Sequence, residues 1–152
     1  MNQDAIGSAT VAAFTPAHGH SDTVSAAGMA QAAESVLTAI EGKQLTNKER
    51  MVLPVQDMPC QGPVERGHNM AEVALGYTEA QAKVEAARCL QCKNAPCVAG
   101  CPVAIDIPKF IGLVAEGKFQ GAADVIREAN LLPAICGRVC PQEVQCQLPC
   151  TL

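Results

Sequence analysis

A chain of 152 residues with a formal net charge of −4, 3 % aromatic residues and no tryptophan is one small domain, or one domain with a tail. The charge lacks the basic face that nucleic acid requires, and no apolar run approaches the ~20 residues of a membrane span. The opening stretch Met1–Phe14 has neither a basic start nor an apolar centre. It is a poor export signal, so the expected location is the cytoplasm.

Residues 1–28 are rich in Ala, Gly, Ser and Thr and poor in large apolar groups, which reads as a flexible leader. His18 and His20 fall within it and read as solvated side chains rather than metal ligands. Met29 to Ile40 has a helical period, with Val36, Leu37 and Ile40 on one stripe and Gly42 as its stop. Thr46 and Glu49 have capping-box spacing for a short second helix. The prolines between Pro54 and Pro63 predict an extended linker in which Cys60 is a spare thiol. Residues 1–63 thus read as a leader with one or two helices and a Pro-rich linker, and residues 64–152 as a separate unit.

In that unit, Met70 to Leu75 predicts a short apolar helix stopped by Gly76. Thr78, with Gln81 three residues on, caps a clearer helix whose Ala80, Val84 and Ala87 share a face and lead into Cys89. Asp106 and Pro108 start another, running through Phe110, Ile111, Leu113 and Val114 to Gly117. Phe119 to Ala129 follows, with Ala122, Ala123, Val125 and Ile126 as its apolar side, and Leu131-Leu132-Pro133 breaks it. No stretch has the alternation of a strand, so the expected fold class is all-α.

Eight of the nine cysteines lie between Cys89 and Cys150, and no histidine falls in that span. The first group is Cys89-Leu-Gln-Cys92-Lys-Asn-Ala-Pro-Cys97-Val-Ala-Gly-Cys101-Pro102. The second is Cys136-Gly-Arg-Val-Cys140-Pro141-Gln-Glu-Val-Gln-Cys146-Gln-Leu-Pro-Cys150. Thiolates in short-spaced fours, with Cys-Pro steps among them, suit iron–sulfur clusters and hence electron transfer. Each group contains Cys-x-x-x-Cys-Pro, a short echo that fits a pair of clusters. Zinc is the strongest rival, but zinc ribbons usually show two Cys-x-x-Cys knuckles and often recruit histidine. Here Cys89 and Cys92 form the one knuckle. A disulfide framework needs an oxidising compartment, and a redox Cys-x-x-Cys needs a βαβ context that is missing.

A cubane cluster takes one protein ligand at each of four irons. A tight loop caps three corners and the fourth ligand comes from elsewhere. Cys89, Cys92 and Cys97 form the close set; Cys89 and Cys92 are expected on one side of a helix end, and Pro96 bends the loop back. In ferredoxins the cysteine before the proline serves the other cluster, which sends Cys101 to the second group and one later cysteine back to the first. On spacing alone Cys136 is the eighth ligand. Gly100 and Gly137 are expected to let backbone approach sulfur, and Glu143 reads as a polar loop residue. No catalytic dyad or triad stands out.

The stretch from Glu85-Ala86-Ala87-Arg88-Cys89 through Cys150 resembles the N-terminal iron–sulfur domain of the glutamate synthase small subunit. Related domains occur in dihydropyrimidine dehydrogenase and NADH-dependent ferredoxin–NADP oxidoreductases. The phrases Cys-Leu-Gln-Cys-Lys, Gly-Cys-Pro-Val, Ile-Asp-Ile-Pro-Lys-Phe-Ile and Leu-Pro-Ala-Ile-Cys-Gly-Arg-Val-Cys-Pro-Gln-Glu carry the likeness, which covers roughly residues 64 to 152.

The resemblance implies a small helical dicluster domain, α-helical and ferredoxin-like, holding two [4Fe-4S] clusters. It maps Cys89, Cys92, Cys97 and Cys150 onto one cluster and Cys101, Cys140 and Cys146 onto the other. In relatives the second cluster can take its fourth ligand from a Gln or Glu further along, a position that here lies beyond Leu152. Cys136 matches a cysteine that need not be a ligand, so the fourth ligand is Cys136 or a residue beyond Leu152. Family members continue into flavin- and nicotinamide-binding domains, whereas this chain has no Gly-x-Gly-x-x-Gly. FAD and NADPH are therefore expected only in parts outside it, and the chain reads as a fragment of a longer flavoprotein or as a separate electron-transfer subunit. The implied partners are an FAD/NAD(P)H-binding domain or subunit and, for glutamate synthase-like enzymes, a large subunit that reduces 2-iminoglutarate. A non-redox interaction module with structural clusters is the alternative.

Overall fold

The structure, a computed structural model, describes residues 25–152; the leader before Ser25, with His18 and His20, lies outside the described residues. In chain order these hold α1 (Ala26–Ile40), α2 (Asn47–Val52), α3 (Pro63–Arg66), α4 (Glu79–Arg88), α5 (Pro96–Ala99), α6 (Ile107–Ala115), α7 (Phe119–Ala129), α8 (Pro133–Val139) and a 3-10 turn, Gln142–Val144. Among the described residues the chain is all-α, and its one pairing of extended backbone is a single bridge between Cys60 and Ala74. None of the described helices is long and apolar enough to cross a membrane.

Local chemistry sets the helix starts. α1 begins at Ala26 rather than Met29 because Ser25 caps it, its side chain accepting from Gly28 N at 3.2 Å. Gly42 follows at φ +70, a left-handed stop that suits glycine. Thr46 with Glu49 and Thr78 with Gln81 close full capping boxes on α2 and α4. Gln81 is fully buried, and its amide keeps partners on both sides. The oxygen accepts from Thr78 N at 3.0 Å and the nitrogen donates to Asp57 O at 3.4 Å. Asp106 caps α6 by accepting from Lys109 N at 3.2 Å.

Ala33, Val36 and Ile40 of α1, Leu53 after α2, and Val84 and Ala87 of α4 form the core, with Leu37, Leu45 and Ala80 packed on it. α4 packs against both α1 and α6, and α6 against α7. Residues before position 64 therefore share one core with the helix that leads to the first cysteine group. Beyond that group burial thins out. α7 buries Ala122 and Val125, while α5, α6, α8 and the 3-10 turn bury no residue fully.

Met70 to Leu75 is not a helix. Asn69 Oδ1 accepts from Ala71 N at 2.8 Å, an Asx turn that diverts the backbone. The chain then runs extended beside residues 59–61, with Gln61 N donating to Val73 O at 2.8 Å and Leu75 N to Pro59 O at 2.7 Å. Met70 is fully exposed, so the apolar pattern faces no core. Glu72 in this segment meets Arg138 of α8 in a two-pronged pair, Nε to Oε1 at 2.6 Å and Nη2 to Oε2 at 3.1 Å. The hydrogen bond and charge of Arg138 hold the Glu72 carboxyl below the usual carboxylate range.

Candidate metal centre

Cys89 caps the C-terminus of α4, its N–H donating to Ala86 O at 3.2 Å. The expected helical projection of Cys89 and Cys92 does not occur, because α4 has ended and the link between them is a loop. Gln91 adopts φ +52 there, a left-handed conformation that non-glycine residues enter at a cost of about 1–2 kcal/mol. Its amide lies over Gly112 of α6, where an added Cβ would sit 3.6 Å from Nε2. Pro96 then opens α5, where a missing N–H costs little, and this puts Cys97 in the first turn. After Cys101, Ala104 takes φ +52 and accompanies the chain's departure into α6.

The second group is carried by α8 and the 3-10 turn. Cys136 lies within α8, Cys140 caps its end, and Cys146 and Cys150 follow the turn. The Cys140 thiol donates to Gln145 Oε1 at 3.1 Å. The Cys136 thiol donates to Asn130 Oδ1 at 3.5 Å, an oxygen that also accepts from Leu132 N at 3.0 Å. Cys136 is thus bound to the buried C-cap residue of α7.

The two groups meet at Gly100. An added Cβ there would lie 2.7 Å from Gln145 O and 2.9 Å from Pro149 Cγ, closer than packed atoms tolerate. The close approach is to backbone of the second group rather than to sulfur, and at Gly137 a Cβ would meet nothing within 4 Å. Cys89, Cys92, Cys97 and Cys150 line one open pocket, together with Pro96, Pro108 and Thr151. Thr151 Oγ1 lies 3.8 Å from Cys92 Sγ. Cys60 is exposed, and its thiol donates to Met58 O.

The electrostatics sort the sulfurs into the same neighbourhoods. Burial pushes the Cys97 thiol above its ordinary value, and the Cys150 and Cys89 sulfurs push it the same way. Burial also raises Cys146; its own N–H opposes the shift, and Cys140, Cys101 and Cys150 reinforce it. Cys150 therefore acts on both groups. Gathering so many potential thiolates is unfavourable unless a cationic centre compensates them. No three His, Cys, Asp or Glu side chains among the described residues converge as one chelated ion needs; the thiols instead ring a space. Arg88, directly before Cys89, keeps its Nε buried with no acceptor among the described residues. A soft, all-sulfur donor set spread round a cavity fits a multi-iron cluster.

Residues 66–152, and with them every cysteine from Cys89 to Cys150, match the family profile described as dihydropyrimidine dehydrogenase domain II, 4Fe-4S cluster. The chain belongs to this iron–sulfur family. Relatives of the 4Fe-4S domain include the NAD-dependent dihydropyrimidine dehydrogenase subunit PreT of Escherichia coli K12. It is 48 % identical over 80 residues, which are 53 % of this chain and 19 % of the relative. The glutamate synthase (NADPH) small chain of the same organism is 44 % identical over 81 residues, 53 % of this chain and 17 % of that one. The Azospirillum brasilense small chain is 37 % identical over 98 residues, 64 % and 20 % of the two chains. The matched stretch is thus about a fifth of each relative's length.

Several residues around the sulfurs have no signal in the sequence pattern: Gln91, Thr151, Asn130, Gln145 and Arg50, whose Nη1 donates to Ala87 O at 2.8 Å and Cys89 O at 3.1 Å. Polarity alone marks them, and their partners lie on other elements.

Proposed function

We propose that residues 64–152 hold two [4Fe-4S] clusters, one on Cys89, Cys92, Cys97 and Cys150 and one on Cys101, Cys140 and Cys146, and that the domain relays single electrons. When bound, such a cluster takes up and gives back one electron at a time. The residues supply the grip and the path. The Gln91 turn brings Cys92 round towards Cys89, α5 presents Cys97, and the stretch after the 3-10 turn delivers Cys150 to the same cavity. The contact of Gly100 with Gln145 keeps Cys101 beside the second group, so the two centres sit close together.

The observation that carries this reading is the single cavity lined by three cysteines of the first group and Cys150 of the second. Cys136, engaged with Asn130, is left out of the ligand set. Donors and acceptors are assigned by likeness to the relatives. A flavin on an FAD/NAD(P)H-binding domain or subunit stands on one side, and on the other a further redox centre, such as that of a glutamate synthase large subunit or a pyrimidine-reducing partner. A reducing compartment, the cytoplasm, suits ligand thiols.

The test is a pair of variants reconstituted anaerobically with iron and sulfide. Cys150→Ser is expected to lose about half of the bound iron and one of two reversible redox waves. Cys136→Ser is expected to keep both. Equal loss from the two variants, or none from Cys150→Ser, contradicts the assignment.

A further inference from the structure

Arg50 belongs to α2, outside the stretch that matches the iron–sulfur family. Yet its Nη1 donates to Ala87 O at 2.8 Å and to Cys89 O at 3.1 Å. These are carbonyls at the C-terminal end of α4, where the helix dipole places partial negative charge. One of them belongs to a proposed cluster ligand. The second cation nearby, Arg88, is paired with Glu85, which offsets its charge. Arg50 is half-buried and, among the described residues, has no carboxylate partner. Its positive charge therefore acts on what lies beside Cys89, with less screening than a surface charge has.

We infer that Arg50 is a positioning residue for the centre held by Cys89. It fixes the backbone of the first ligand and, through its charge, favours that centre's reduced state. The inference rests on the two-cluster reading above. Reduction adds one negative charge to a cluster, and a fixed cation nearby stabilises the reduced form more than the oxidised form. A residue that only closed the end of α4 would change stability and leave the potential alone.

The experiment is an anaerobic redox titration of the full reconstituted chain, followed by electron paramagnetic resonance. The wave that Cys89→Ser alters identifies the centre. Arg50→Gln is expected to lower the reduced-to-oxidised ratio of that wave about tenfold at a given potential, a shift of about 59 mV downward, and to leave the other wave in place. Arg50→Lys keeps the charge, so its wave is expected within about threefold of the wild type's even where the clamp is lost. An Arg50→Gln protein with wild-type iron content whose wave lies within about twofold of wild type overturns the inference. If Arg50→Gln does not fold, Arg50→Met, which removes the same charge, decides: a change of about tenfold of the same sign supports the inference, and a wave within about twofold of wild type overturns it. A wild-type chain that binds no iron and sulfide sinks the two-cluster reading itself, an outcome distinct from both.

Discussion

Gly100 is where the two cysteine groups come into backbone contact, and it leaves no room for a side chain. The atoms a Cβ would strike are a carbonyl oxygen and a proline ring carbon, neither of which can swing aside. Gly100→Ala is therefore expected to cost about 1–3 kcal/mol and to pull Cys101 from Cys146. The readouts are a lower melting temperature and reduced iron content with unchanged helical circular dichroism. A variant with full iron and an unshifted melt contradicts that account. The thiols themselves were legible in the sequence, because soft donors at short spacing report their chemistry without a fold. The residues that aim them were not. Gln91 at positive φ, Asn130 against Cys136 and Arg50 on the Cys89 carbonyl depend on neighbours or conformations that no local pattern encodes.

At the scale of elements, both capping boxes were readable because every group involved lies within four residues. Met70 to Leu75 was misread because an apolar period carries no information about whether a core exists to receive it; Asn69 and Gln61 instead draw the segment into an extended pairing. α8 was missed because Pro133, read as a breaker, is the residue that opens it. The apolar face of α4 was legible, but its partner was not: α1 comes from before the matched family region and supplies half of the core. Val84 stands at that junction with no exposed surface. Val84→Ala is expected to destabilise the chain by about 2–3 kcal/mol, from lost transfer energy and a residual cavity. Urea unfolding of the loaded protein checks this, and a loss below about 0.5 kcal/mol contradicts the packing of α4 on α1.

Across the whole molecule, order has two sources. The half built on α1, α2 and α4 rests on an apolar core. The half from Cys89 onward has as its buried residues only Ala122, Val125 and Asn130 among those described, and eight half-buried or exposed thiols. So thin a core makes the bound centre part of the fold, much as metal binding and folding are one equilibrium in other small metal domains. The all-α class and the cysteine-rich half were evident from the sequence. The sharing of one core across position 64 was not, because the Pro-rich linker conceals how closely α1 returns to α4. The most direct measurement is the iron and acid-labile sulfide content of the anaerobically purified chain. About eight of each per chain, with loss of helical signal beyond α4 on chelation, is the predicted result; zinc without sulfide, or a colourless chain indifferent to chelator, would contradict it.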